Sequence, residues 1–302
     1  MSYPLISIII PVYNVTDFLE AAVHSAANQS YPAKEIILVN DGSDATATAE
    51  IERIAVQYDD VLLLHQQNKG AAAARDFGLE HANADYIVFL DADDLLLQST
   101  LHAFSSAFAA SPDAIAVYGK HQRINQKGHI IGAPLPEKLT YGADVLEKLL
   151  LGTACLAVGA ICIKKSVLQK LSVNNHDLTF GEDWVLWCHL ALHGDIIPAT
   201  AKTVLYYRRH DSNTTAEFFN NAERIFAAYD AVYKSDTFFA AMGEEKMKEY
   251  EAYRHQLFHT RFATHYAKKG ETDKAQYHLE QMTLRLDSFA KRFKGQKNEE
   301  EN

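Results

Sequence analysis

Ala84-Asp-Tyr-Ile-Val-Phe-Leu-Asp-Ala-Asp-Asp94 is the stretch that decides how this chain folds. Tyr86 to Leu90 is an unbroken apolar run with β-branched and aromatic members, the pattern of a strand buried on both faces. Three carboxylates follow within four residues. Asp91, Asp93 and Asp94 cannot all belong to a core, because unpaired buried carboxylates cost several kcal/mol each. Side chains alternate faces along an extended strand, so Asp91 and Asp93 are expected on one side, able to share a cation or a hydroxylated ligand. The carboxyl edge of an open α/β sheet is where such a pair would meet a ligand. The plainer alternative is a polar strand end whose aspartates cap the next helix.

Working back toward the N-terminus, the same unit recurs. Leu5 to Ile10 reads as a buried strand stopped by Pro11, in Pro11-Val-Tyr-Asn14. A helix from about Thr16 to Asn28 follows, with Phe18, Leu19, Ala22, Val23 and Ala26 on its apolar stripe. Glu35 to Val39 is the next strand and ends in Asn40-Asp-Gly-Ser43. A helix from Ala45 to Tyr58 leads to a strand from Val61 to Leu64, and the turn Gln67-Asn-Lys-Gly70 opens an Ala-rich helix that carries Arg75. Four alternations of strand and helix predict a mostly parallel sheet with right-handed crossovers and helices on both faces. The polar residues after each strand then gather at one edge: Tyr13 and Asn14, Asp41, Asn68 and Lys69, Asp91 and Asp93.

Beyond Asp94 the pattern changes. Ser99 to Ala110 reads as a helix and Ala114 to Lys120 as a strand; Asn125-Gln-Lys-Gly128 has hairpin-turn chemistry and leads into His129 to Gly132. A helix over Tyr141 to Leu151 and a strand over Val158 to Ile163 come next. Phe180-Gly-Glu-Asp-Trp-Val-Leu-Trp187 holds both tryptophans of the chain and opens a helix that runs to about His193. Glu182 and Asp183 there have a structural explanation in the helix dipole. Val204 to Asn213 is a strand ending in Arg208, Arg209 and His210, and a histidine in such company is usually a surface residue. From about Glu217 the sequence is helical. Phe218, Phe226, Tyr229, Tyr250, Tyr253 and Phe262 supply apolar faces, and Lys269-Gly270 separates two helices. This divides the chain into an α/β domain, 1–215, and a helical appendage with a polar tail, 216–302.

The bulk properties limit the function. With 302 residues, 48% of them hydrophobic and 23% charged, the chain has the composition of a soluble globular protein. A net charge of -10 argues against nucleic acid as a partner. Cys155, Cys162 and Cys188 form no C-x-x-C pair, and reduced, buried thiols are expected. The N-terminus lacks a signal-peptide pattern, and the longest uncharged run, Leu149 to Ile163, is interrupted by Gly152 and Gly159 and is too short for a span. A cytoplasmic location is the expectation. Near the C-terminus, Arg285, Lys291, Arg292, Lys294 and Lys297 alternate with Leu286, Phe289 and Phe293. Such an end suits peripheral contact with an anionic membrane surface, although an ordinary solvated helix end is the plainer reading.

Five motifs in series resemble those of family 2 glycosyltransferases with the GT-A fold: Pro11-Val-Tyr-Asn14, Val39-Asn-Asp-Gly-Ser43, Asn68 to Arg75 with Gly78, Leu90-Asp-Ala-Asp-Asp94, and Gly181-Glu-Asp-Trp184. The resemblance covers about the first two-thirds of the chain. It implies a mostly parallel, Rossmann-like sheet with a small antiparallel part, binding a UDP-sugar donor. Tyr13 and Asp41 would hold uracil and ribose, with Arg75 nearby. Pro11, Asn14, Lys69, Gly70 and Ala92 would line the nucleotide. Asp91 would meet the ribose, and Asp93 would bind the Mn²⁺ or Mg²⁺ that bridges the diphosphate, with His210 as a further metal ligand. Asp183 would be the general base of an inverting transfer to a glycan or lipid-linked acceptor, with Glu182 and Trp184 bordering sugar and acceptor. The sequence departs from the pattern at Asn40, where many relatives carry aspartate, which leaves base recognition to Asp41.

The chemistry agrees with the resemblance. A diphosphate leaving group needs its charge neutralised, which a divalent cation on few protein ligands provides. An alcohol needs a carboxylate to take its proton, and Glu182 beside Asp183 would raise that carboxylate's pKa into a useful range. Neither G-x-G-x-x-G after the first strand nor G-x-x-x-x-G-K-[ST] anywhere is present, so dinucleotide and P-loop sites drop out. A nucleotidyltransferase would want a Gly-rich basic loop after the first strand. A haloacid-dehalogenase-like phosphatase using Asp91 and Asp93, and a degenerate transferase acting as a binding module, remain as alternatives.

Overall fold

The computed structural model describes residues 3–136, 144–154, 156–171, 178–211, 213, 218–220 and 222–283. They form two compact units, Met1–Leu149 with Thr153–Asn213, and Leu150–Gly152 with Thr214–Asn302.

The first unit begins with alternating strands and helices: β1 (Ile6–Val12), α1 (Leu19–Ala27), β2 (Lys34–Asp41), α2 (Ala45–Ala55), β3 (Val61–Gln66), α3 (Ala71–His81) and β4 (Tyr86–Phe89). There follow β5 (Leu95–Leu96), α4 (Thr100–Ala110), β6 (Ala116–Asn125), β7 (Ile130–Leu135), α5 (Asp144–Leu150), a 3₁₀ turn (Val158–Ala160), β8 (Ile161–Lys164), α6 (Lys165–Leu168), α7 (Glu182–His193) and β9 (Ile196–Arg209). All nine strands join one mixed sheet in the order β3-β2-β1-β4-β8-β6-β9-β5, with β7 paired to β6. The first four strands are parallel neighbours, as four alternations predict. The antiparallel part is extensive, because β8 pairs antiparallel with both β4 and β6, and β7 and β5 add two more such ladders.

The core explains why these segments are strands. Every residue of β1 and the last six of β2 are buried, with helices on both faces of the sheet taking up their side chains. Helix α2 begins where the Asp44 side chain accepts from the Ala47 amide at 2.9 Å, and its stripe of Ala47, Ile51 and Ile54 faces the core. Helix α3 lies unusually close to the sheet. A Cβ on Gly78 would stand 2.4 Å from Ile9 Cγ2 and 3.2 Å from Val39 Cγ2, so glycine is what lets the helix seat there.

Several boundaries differ from expectation for physical reasons. Pro11 does not stop β1, which continues to Val12. Ile9 O accepts from the Leu90 amide on the β4 side, and Pro11 faces that same side beyond the last paired residue of β4, so its missing N–H leaves no ladder bond unmade. Strand β4 ends at Phe89, and Asp91 to Asp94 form a turn closed by the Asp94 amide donating to Asp91 O at 3.1 Å. The expected alternation of Asp91 and Asp93 along one strand therefore does not occur. The expected strand over Val158 to Ile163 splits into the 3₁₀ turn and β8, and β9 begins eight residues earlier than Val204. The hairpin at Asn125 to Gly128 forms as expected, with the Gly128 amide donating to Asn125 O at 2.9 Å. Cys162 and Cys188 are buried and reduced; Cys155 lies outside the described residues.

The second unit contains α8 (Ala222–Tyr233), α9 (Asp236–Met242) and α10 (Glu244–Lys269), with residues 272–283 also helical. Gly270 ends α10 in the left-handed conformation, at φ 75°. Phe226, Phe258 and Phe262 pack ring on ring, while Tyr253 faces solvent instead of joining them. His255, His259 and His278 are buried among these rings, which the aromatic pattern alone did not suggest. The basic segment from Arg285 to Lys297 lies outside the described residues.

Gly78→Ala should destabilise the fold by about 1–3 kcal/mol through overpacking against Ile9 and Val39. Urea denaturation should show a lower midpoint at unchanged slope.

Candidate active site

The loops after the parallel strands do converge, and hydrogen bonds between them fix their places. After β1, Asn14 adopts φ 54°, its amide donates to Ser43 Oγ at 3.1 Å, and its Oδ1 accepts from the Asp44 amide at 2.9 Å. Tyr13 beside it is half exposed. After β2, Asn40 shapes the turn, its Oδ1 accepting from the Ser43 amide at 2.9 Å and its Nδ2 donating to Thr48 Oγ1 at 3.0 Å. Asp41 is 2% exposed and accepts three hydrogen bonds, from Gln66 Nε2 and from the amides of Lys69 and Gly70, at 2.7, 2.9 and 2.9 Å. Its carboxylate therefore holds the loop that starts α3. Gly70, at φ 89°, makes the turn into that helix, and Lys69 next to it is exposed.

Arg75 stands at the centre. It is 8% exposed, its Nη2 donates to Asp91 Oδ1 at 2.9 Å, and its Nη1 lies 3.3 Å from Glu182 Oε1. Burial alone would lower its proton affinity, but the charges of Asp91 and Glu182 outweigh that and raise it, so the guanidinium is firmly charged. One cation thus connects the turn after β4 to the start of α7.

Asp93 takes its partners from the residues after β9. Its Oδ2 meets His210 Nε2 at 2.7 Å and accepts from Asn213 Nδ2 at 3.0 Å, while the His210 amide donates to Asn213 Oδ1. His210 is buried, contrary to the usual surface reading of such a residue, and Phe18 packs against it at 5.0 Å between ring centroids. Burial and the neighbouring Asp91 push the Asp93 carboxyl up from the ordinary range. Ala92 is buried between the two aspartates.

Asp183 lies in the first turn of α7, after Gly181 in the left-handed conformation at φ 76°. Its Oδ1 accepts from the Trp184 amide at 2.7 Å, and the Trp184 indole donates to Leu149 O at 3.0 Å. Burial, then the adjacent Glu182 charge, raise the Asp183 carboxyl to about 7, against the opposing pull of Arg75. The Asp91 charge is also felt at Asp183, so the acids on α7 and on the β4 turn share one site.

Three residues of this architecture carry no expected site role from sequence. Asp94 is 1% exposed and accepts from the Arg208 amide at 2.8 Å. Arg208 Nε donates to Asp93 O at 2.9 Å, its Nη1 donates to Gln126 O at 3.1 Å, and its guanidinium lies over the Phe18 ring. Asn213 orients both Asp93 and His210.

Comparison with known proteins decides the family. The model of glycosyl transferase family 2 matches residues 7–171, more than half of the chain. The chain belongs to glycosyl transferase family 2. A glycosyltransferase of Rickettsia typhi is 29% identical over 78% of this chain and 73% of its own length. The glycosyltransferase GlyA of Streptococcus pneumoniae is 28% identical over 93% of this chain, which spans 41% of that longer protein. Among solved structures, Staphylococcus aureus TarS 1-349 superposes with a TM-score of 0.60 at 15% identity, over 93% of this chain and 91% of that one, a likeness of fold. The TarS fragment has also been crystallised with UDP and with UDP-GlcNAc. Membership sets the phosphatase reading aside: this family 2 enzyme is a glycosyltransferase of mixed α/β fold with a helical C-terminal region. No helix among the described residues is long and apolar enough to cross a membrane.

Because the Asp183 carboxyl binds its proton more tightly in the folded chain than the ordinary carboxylate at 3.8, its protonation stabilises the fold at low pH, and that contribution is lost as pH rises toward about 7. Relative to Asp183→Asn, which has no proton to lose, the wild-type chain should therefore lose a few kcal/mol of stability between about pH 4 and pH 7. Urea unfolding of both proteins across that range checks it.

Proposed function

We propose that this family 2 enzyme transfers a hexose or N-acetylhexosamine from a UDP-sugar to a hydroxyl of a glycan or lipid-linked acceptor, with inversion, using Asp183 as general base. The observation that carries this reading is the raised proton affinity of Asp183 in a site that also holds Arg75, Asp91 and Asp93. A base with a pKa near 7 is half ionised at neutral pH and strong enough to take a proton from an alcohol as attack develops. The TarS complexes with UDP and UDP-GlcNAc support a UDP-sugar donor. Tyr13, half exposed after β1, would stack on the base, and Asp41 would serve the same nucleotide by holding the Lys69 and Gly70 amides.

Asp93 and His210, whose Oδ2 and Nε2 meet at 2.7 Å, would supply an oxygen and a nitrogen donor to a divalent cation, Mn²⁺ or Mg²⁺. No cluster of three or more His, Cys, Asp or Glu able to hold a metal occurs among the described residues. The ion would accordingly take the rest of its shell from the diphosphate and water, as Mg²⁺ commonly does. When bound it would neutralise charge on the leaving diphosphate.

The chain's own groups do the rest. Arg75 holds Asp91 and Glu182 in place, and its Nε is buried without a hydrogen-bond partner among the described residues. Asp183 Oδ2 takes the acceptor proton while Oδ1 stays fixed by the Trp184 amide. A cytoplasmic location, with residues 285–297 touching a membrane surface, belongs to this proposal and rests on the sequence alone.

Asp183→Asn should keep UDP affinity within about twofold and abolish transfer, read by calorimetry and by product formation; transfer at the wild-type rate would remove Asp183 from the mechanism. In the wild-type protein the rate of transfer should rise with pH and level off above about 7, as the base loses its proton. EDTA should weaken UDP binding and Mn²⁺ should restore it; indifference to both would exclude the cation.

A further inference from the structure

A narrow cleft, partly open to solvent and lined mostly by buried side chains, lies between α3 and α7 and reaches the base. At its charged end are Arg75, Glu182 and Asp183, the residues just assigned to the reaction; Asp76 is the remaining charged residue of the lining. The body of the cleft is apolar. Leu79 contributes from α3, Leu186 and Trp187 from α7, Leu168 and Leu171 from α6 and the residues after it, and Phe89 from the end of β4. Ala72, Arg75, Asp76 and Leu79 follow helical spacing along one side of α3, and Glu182, Asp183, Leu186 and Trp187 do so along α7, so the cleft is built from two helix faces.

We infer that the acceptor carries an apolar group next to its reacting hydroxyl, and that this cleft receives it. The inference rests on Asp183 as the base. A hydroxyl brought within hydrogen-bond reach of Asp183 sits at the charged end of the cleft, so the framework bearing it extends along the leucines and Trp187. Sugar hydroxyls placed there would lose water and find few partners, whereas each buried methylene strengthens binding about fourfold. The cleft therefore selects an alcohol on an alkyl, aryl or lipid framework over one flanked by further hydroxyls.

The test uses the full chain with UDP present and the n-alkanols from ethanol to octanol as probes, followed by tryptophan emission and by calorimetry, since Trp187 lines the cleft. Dissociation constants should fall roughly fourfold per methylene over the middle of the series, with saturable change in emission. Leu186→Gln and Leu168→Gln, each checked for an unchanged circular dichroism spectrum, should weaken octanol at least tenfold. Asp183→Asn should leave octanol binding in place. Absence of chain-length dependence, or tight octanol binding untouched by both leucine substitutions, would overturn the inference even if the protein transferred sugar to polar glycosides through Asp183. Conversely, intact octanol binding together with full transfer by Asp183→Asn would keep the cleft and remove the base.

Discussion

The buried guanidinium of Arg75 is the constraint on which the rest of this site depends. A cation taken out of water costs several kcal/mol unless carboxylates surround it, and here two do so from different elements, Asp91 after β4 and Glu182 at the start of α7. Because both must reach the same side chain, the turn after β4 and the first turn of α7 cannot shift independently. The position of α3 sets that of Arg75, and α3 can sit low on the sheet because Gly78 presents no side chain to Ile9 and Val39. A contact deep in the core is thereby connected to the spacing of acids at the surface.

The turn from Asp91 to Asp94 shows how three carboxylates can follow one another without collapsing the strand before them. Each is sent to a different partner. Asp91 goes to Arg75, Asp93 to His210 and Asn213, and Asp94 inward to the Arg208 amide. Burial and the two neighbouring charges push the Asp94 carboxyl well above its ordinary range, so it serves as an internal anchor for the turn while Asp91 and Asp93 engage side chains from other elements. Arg208 completes the arrangement from β9, binding Asp93 O and Gln126 O at once and so joining the turn to the β6–β7 hairpin.

The parallel half of the sheet was legible in the sequence because its signals are local: apolar runs of strand length, helical stripes between them and polar residues at each strand end. The motif residues that come together at the edge were legible for the same reason. What the sequence obscured depends on contacts between distant segments. Strand alternation predicts the wrong geometry for Asp91 and Asp93 because a tight turn takes over after Phe89. Pro11 resembles a stop in the sequence, yet a proline's missing donor matters only on a side that has a neighbour, and the sequence does not show where β4 ends. His210 looked like a surface residue, since nothing local reveals that Phe18, Asp93 and Asn213 enclose it. The antiparallel ladders that β8 makes with β4 and β6, and β5 with β9, are likewise long-range pairings with weaker local signatures.

The proton affinity of Asp183 follows from a balance among the same residues. Burial and the charge of Glu182 raise it; Arg75 restrains it. Were Arg75 absent, Asp183 would hold its proton through neutral pH and could not accept another. Were Glu182 absent, Arg75 would have one carboxylate fewer to satisfy and would draw Asp183 toward the ordinary range, making it a weaker base. An acid pair at a helix start, which by itself needs no explanation beyond the helix dipole, therefore acquires chemical meaning only through the cation that reaches it from another helix. That is why the sequence could suggest the pair's role and the upward push of Glu182 on Asp183, while the burial and the restraint from Arg75 had to come from the fold.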